Sequence, residues 1–151
     1  MIDTASDTDD PSSDDVARWR AAAKVGDGDA MCNLGLLCHQ HGILHGTDSA
    51  EGWWVRGSQA GHTDSMLNLG LLRYEENRMV GPNSAESWWA DAALAGNVDA
   101  MCNLGLLRSA QGRSTGEDSA ESWWSQAADA GHEDGAHNLA ELRAGAEHRS
   151  D

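Results

Sequence analysis

The apolar positions of Ala85–Ala95 fall on one side of a helix. At about 100° per residue, Ala85, Trp88, Trp89, Ala92, Ala93 and Ala95 share an arc about 160° wide. An arc of that width predicts a helix packed against two neighbours rather than one. The block opening this stretch, AESWW, recurs at Ala120, with AEGWW at Ala50. A second apolar run, NLGLL, begins at Asn33, Asn68 and Asn103, and a worn copy, NLAEL, begins at Asn138. Both blocks step by 35 residues, which is the signature of a repeat array. One step before Ala50, at Asp15–Trp19, only the second tryptophan survives, as Trp19.

Each repeat reads as two helices. The first carries NLGLL and ends at Gly42, Asn77 or Gly112, residue types that accept a left-handed backbone. The second carries the paired tryptophans and ends at Gly61, Gly96 or Gly131, with Gly26 matching in the partial first unit. Asp48, Asn83 and Asp118, each followed three residues later by Glu51, Glu86 or Glu121, predict capping boxes at its start. Helices are expected near 14–25, 29–41, 49–60, 64–76, 84–95, 99–111, 119–130 and 134–147. The pattern assigns the tryptophans to packing rather than to a ligand box. Trp53, Trp88 and Trp123 are expected to face the first helix of their own repeat. Trp19, Trp54, Trp89 and Trp124 are expected to face the first helix of the next. Glycine inside a helix costs about 1 kcal/mol relative to alanine, so Gly35, Gly70 and Gly105 predict a close helix approach.

Composition narrows the function. The chain of 151 residues has a formal charge of −15, which argues against nucleic acid, since phosphate binding needs clustered lysine and arginine. Residues 1–15 hold Asp3, Asp7, Asp9, Asp10, Asp14 and Asp15 and no basic residue. An acidic disordered tail is expected over 1–12, a repeat domain over 13–148 and a disordered end over 149–151. With no long apolar run and no basic-then-apolar leader, no membrane span or secretory signal is expected, and the location expected is cytoplasmic. Cys32 and Cys102 share one register two repeats apart and are expected to be too distant to pair, and the odd cysteine count suits a reducing compartment. His39, His41 and His45, beside Cys38, match no closed zinc spacing and are expected to be solvated, with metal binding the alternative. No nucleophile elbow or phosphate loop is present, so neither catalysis nor a cofactor is expected.

Ala30, Asn33, Leu34, Gly35, Asp48, Ala50, Trp53 and Gly61, with their later copies, resemble the Sel1-like repeat, a relative of the tetratricopeptide repeat. The resemblance covers residues 14–147. The chain departs from the family where a tyrosine usually follows NLG, having Cys38, Arg73 and Arg108 there, and its loop pattern G-x-G-V is nowhere intact. The resemblance implies an all-α solenoid of about eight helices, a right-handed superhelix of stacked antiparallel pairs. It also implies a non-catalytic scaffold or adaptor that assembles protein complexes. By analogy with tetratricopeptide proteins, the first helices line a binding groove. Its exposed positions are expected to be Asp64, Leu67, Asn68, Leu71 and Tyr74, then Asp99, Cys102, Asn103 and Leu106. Leu36, Leu71 and Leu106 stand opposite the inward stripe of their helices, an apolar row that the repeat leaves uncovered. Asn33, Asn68 and Asn103 suit either a peptide backbone or a structural bridge, and both readings stay open here. Asp29, Asp64, Asp99 and Asp134 suit either a basic partner or their own helix dipoles. The expected partner is a protein or peptide with apolar anchors and neutral or basic charge. The alternatives are an enzyme on cell-wall or β-lactam substrates, as described for some relatives, and a self-associating accessory protein. The enzyme reading would call, by family analogy, for an export signal and abundant disulfides.

Overall fold

The structure, a computed structural model, describes residues 11–148. Residues 1–10 of the tail expected over 1–12, and the end expected over 149–151, lie outside the described residues, whereas Ser12 is the N-cap of α1. Among the described residues all regular structure is helical: α1 Ser13–Ala23, α2 Gly28–Gln40, α3 Ala50–Gln59, α4 Thr63–Glu75, α5 Ala85–Leu94, α6 Val98–Ala110, α7 Ala120–Asp129 and α8 Glu133–Glu147. Each boundary falls within two residues of the expected one. The fold is an all-α, solenoid-like repeat.

Two compact units divide the chain, Met1–His62 and Thr63–Asp151. In the first, α2 packs against both α1 and α3. In the second, each helix from α4 to α8 packs on its sequence neighbour, and α6 also touches α8.

The stop signals act as expected. Gly26, Gly42, Gly61, Gly96, Gly112 and Gly131 all have positive φ, and Asn77 takes the same role with φ 60°. The start signals act one residue later than expected. Ser49, Ser84 and Ser119 are the N-caps of α3, α5 and α7, accepting from the backbone N–H of Gly52, Ser87 and Ser122. Asn83 and Asp118 have φ of 52° and 48°, a left-handed backbone rather than the extended one a cap requires. Their side chains are thereby released for other bonds. The loops before these helices share one shape: Ile43, Arg78 and Arg113 donate from their backbone N–H to the carbonyls of Cys38, Arg73 and Arg108, each at 2.8 Å.

The tryptophans are buried or half-buried, but three of the seven expected directions are reversed. An added Cβ on Gly35, Gly70 or Gly105 would overlap the indole of Trp54, Trp89 or Trp124 respectively. The second tryptophan of each complete pair therefore packs on the first helix of its own repeat, not of the next. A large flat ring needs a strip of backbone without side chain, and within NLGLL only the glycine supplies one. That seat also lets the indole Nε1 of Trp54 donate to the Cys32 carbonyl at 3.3 Å and that of Trp124 to the Cys102 carbonyl at 3.2 Å. Trp19 does pack with Ala30, Met31 and Leu34 of α2, and Trp53 joins the same cluster. Trp123 lies against the core of Ala85, Trp89, Ala93 and Leu104.

Candidate functional site

In NLGLL the first and second leucines part company. Leu69 and Leu72 of α4 are fully buried, while Leu71, about 200° round the helix from Leu69, is 39% exposed. Leu106 of α6 stands at the same register and is 50% exposed, above a buried Leu104. In the first unit Leu36 is likewise exposed beside a buried Leu34.

Leu71 and Leu106 border a mostly apolar cleft of about 430 Å³. Met79, Leu107 and Ala110 extend its walls, and Asn103 stands among its lining residues. Tyr74 and Trp89 also line it, their ring centroids 5.7 Å apart and tilted by 35°. A second hollow shares Asn103 and Leu106 with the cleft and continues between α6 and α8 to Asp99, Cys102, His132, Asp134 and Asn138. One side of the second unit thus passes from an apolar cleft to an acidic hollow across α6.

Asp99 Oδ1 lies 3.0 Å from His132 Nε2. His132 is also the N-cap of α8, its Nδ1 accepting from the Gly135 N–H at 3.1 Å. Those two bonds together assign the ring proton to Nε2. Asp64 Oδ1 accepts from Asn97 Nδ2 at 2.7 Å in the same relation, and in the first unit Asp29 Oδ1 lies 2.8 Å from His62 Nε2. These aspartates therefore tie the start of one first helix to the residue preceding the next, besides lying in the first turn of their own helices. The carboxylate of Asp134, at the same register on α8, has no hydrogen-bond partner among the described residues. Burial first, and then the carboxylates of Asp134 and Asp99, push the Cys102 thiol up, so it stays protonated at neutral pH.

The expected groove residues divide by exposure. Asp64, Leu71, Tyr74, Asp99 and Leu106 are exposed, and Leu67, Asn68 and Asn103 are half-buried. Cys102, expected to be exposed, is buried beneath the floor of the acidic hollow, packed with Trp124 and Leu139. Leu67 rests against the core around Trp89. Leu71, Tyr74, Asn103 and Leu106 meet at the apolar cleft; Asp99, Cys102, Asn103 and Leu106 meet at the hollow. Asp64, Leu67 and Asn68 line neither. Trp89, Met79 and Leu107 were missing from the expected site, since their apolar character reads in sequence as core. In the first unit, His45 Nδ1 lies 2.8 Å from Glu51 and the His39 ring meets Trp54 at 5.7 Å. Among the described residues no three histidine, cysteine or acidic side chains gather as metal ligands.

The released side chains of Asn83 and Asp118, and Glu86 and Glu121 of the expected capping boxes, serve arginines instead. Arg108 is 4% exposed. It donates to Asp118 Oδ1 at 3.0 Å from Nε, and to Glu86 Oε1 at 2.6 Å and Gln111 Oε1 at 3.1 Å from one terminal nitrogen. Arg73 makes the equivalent bond to Asn83 Oδ1 at 3.2 Å. Arg143 reaches Glu121 at 3.1 Å, as Arg108 reaches Glu86. Trp88 and Trp123 donate to Asn83 and Asp118.

Burial works to raise the Asp118 pKa, but bonds from Arg108, Trp123 and Arg113 outweigh it and hold the carboxyl at about 2 against an ordinary 3.8. A folded value below the unfolded one means that this contribution to stability is complete above the unfolded pKa and is lost as pH falls toward the folded one. Wild-type protein should therefore lose melting temperature as pH falls from about 4 to about 2. Asp118→Asn should melt lower at neutral pH and show a shallower decline through that window. Parallel profiles in acid thermal melts would remove Asp118 from the ion pair.

Among the described residues no helix is long and apolar enough to cross a membrane. No family model matches the chain, and no curated protein matches it in sequence. Solved structures do match. One is a Sel1 repeat protein from Oxalobacter formigenes, with a TM-score of 0.63 and 26% identity over 77% of this chain and 49% of the other. Another is a protective antigen present in uropathogenic Escherichia coli strains and displaying an SLR fold. Its TM-score is 0.66 at 24% identity, covering 82% of this chain and 27% of the antigen. The chain thus spans about half of the first protein and about a quarter of the second.

Proposed function

From the premise that this is a Sel1-like repeat protein, we propose that it is a non-catalytic interaction module whose binding face is the cleft beside α4 and α6. One observation carries the reading. Leu71 and Leu106, at one register of successive repeats, border a mostly apolar cleft of about 430 Å³ that is open to solvent. A concave, mostly apolar site with a few polar groups at its margin is the usual form of a protein's binding pocket. The charge of −15 and the adjoining carboxylates favour a protein or peptide partner with apolar anchors and a neutral or basic surface.

The double variant Leu71→Glu, Leu106→Glu tests it. Both side chains are exposed, so the melting temperature should change little, by the equivalent of about 0.5 kcal/mol or less per site. Proteins captured by the wild type from native cells should be lost from the variant in quantitative mass spectrometry. Undiminished capture would place the interface elsewhere. A large drop in melting temperature would mean that the two leucines are structural.

A further inference from the structure

Resting on the binding reading above, we propose that the cleft takes an extended peptide segment carrying a large apolar side chain and, four residues along, a lysine or arginine. The apolar cleft accepts the anchor against Leu107 and the Tyr74–Trp89 pair. The acidic hollow accepts the cation. Within the hollow, Asp99 is engaged by His132, while Asp134 has no bond among the described residues. Both carboxylates line the same hollow, beside Cys102 and Asn138.

Asn103 selects the extended form. It is half-buried where cleft and hollow meet, and its carboxamide makes no hydrogen bond among the described residues. Asn138, one repeat on, donates instead to Cys102 Sγ at 3.8 Å. A carboxamide offers donors and an acceptor together, the complement of one peptide unit. An extended backbone presents such a unit, whereas a helix has already paired its own. Spacing follows from α6: from Leu107 in the cleft to Asp99, which shares the hollow with Asp134, is about 12 Å of helix axis. Four residues of extended chain cover about 13 Å and place the first and fifth side chains on one side.

The probes are fluorescein-labelled, end-capped serine-glycine peptides carrying one leucine and one arginine, read by fluorescence anisotropy with the full chain at low salt. The peptide with the two residues four apart should bind. Exchanging arginine for glutamate, or N-methylating the peptide bonds between the two residues, should each weaken binding about tenfold. Asp134→Asn and Asn103→Ala should each weaken the leucine-arginine peptide about three- to tenfold with unchanged melting curves. Equal affinity for all peptides, tighter binding by a helical peptide with the same two side chains, or no binding below about 1 mM would overturn the proposal. Capture from native cells separates the two readings. If it depends on Leu71 and Leu106 but not on Asn103 or Asp134, the binding face stands and the extended basic occupant falls. If it depends on none of them, both fall.

Discussion

Trp89→Ala is expected to destabilise the protein by about 3–5 kcal/mol, the range for removing a large aromatic from a packed interior. Trp89 is 3% exposed and belongs to the cluster of Ala85, Ala92, Ala93, Ala100 and Leu104. Its seat is Gly70, where the neighbouring backbone has no side chain able to move in and fill the space. Phenylalanine substitutions separate packing from hydrogen bonding. Trp124 donates to the Cys102 carbonyl, whereas Trp89 Nε1 has no acceptor among the described residues. Trp124→Phe should therefore cost about 1 kcal/mol more than Trp89→Phe, the usual net worth of one hydrogen bond. Chemical denaturation of the three variants measures both differences. A loss below about 1 kcal/mol for Trp89→Ala would mean that the ring is not in the core.

Arg108→Met should cost about 2 kcal/mol. The substitution keeps much of the stem but leaves Glu86 without its cation and Asp118 with Arg113 alone. Removing one member of a fully buried ion pair costs about 3–5 kcal/mol. Here both carboxylates keep partial access to water, with side-chain exposures of 27% and 42%, so the expected loss is smaller. Adding Glu86→Gln and Asp118→Asn to Arg108→Met should recover most of the loss, because no uncompensated charge then remains. If the triple variant is as unstable as the single one, the arginine acts through stem packing and not through its ion pairs.

Much of this architecture is readable in one dimension. A 35-residue period, a glycine or asparagine after each helix and an apolar arc on each tryptophan helix placed all eight elements. Those signals are local: left-handed φ is a property of one residue, and amphipathicity is a property of one helix. The exposure of Leu71 and Leu106 followed from the same angular argument. What needed tertiary structure was every choice between equivalent partners. Asp118 and Ser119 are both good capping types, and only the left-handed turn at Asp118 assigned the cap to the serine. Glu86 stands three residues after Asn83, but with the cap at Ser84 the box closes on Ser87, and the Arg108 cation in the following helix takes Glu86. Both tryptophans of a pair lie in one apolar arc, and the choice between their two neighbours was made by the bare backbone at glycine, which no helical wheel displays. The aspartates at positions 29, 64 and 99 carry the same charge as Asp134, but the first three meet a side chain from the next repeat and Asp134 does not. A period marks which residues recur; which of them touch across repeats depends on the rotation between successive helices, and that rotation exists only in three dimensions.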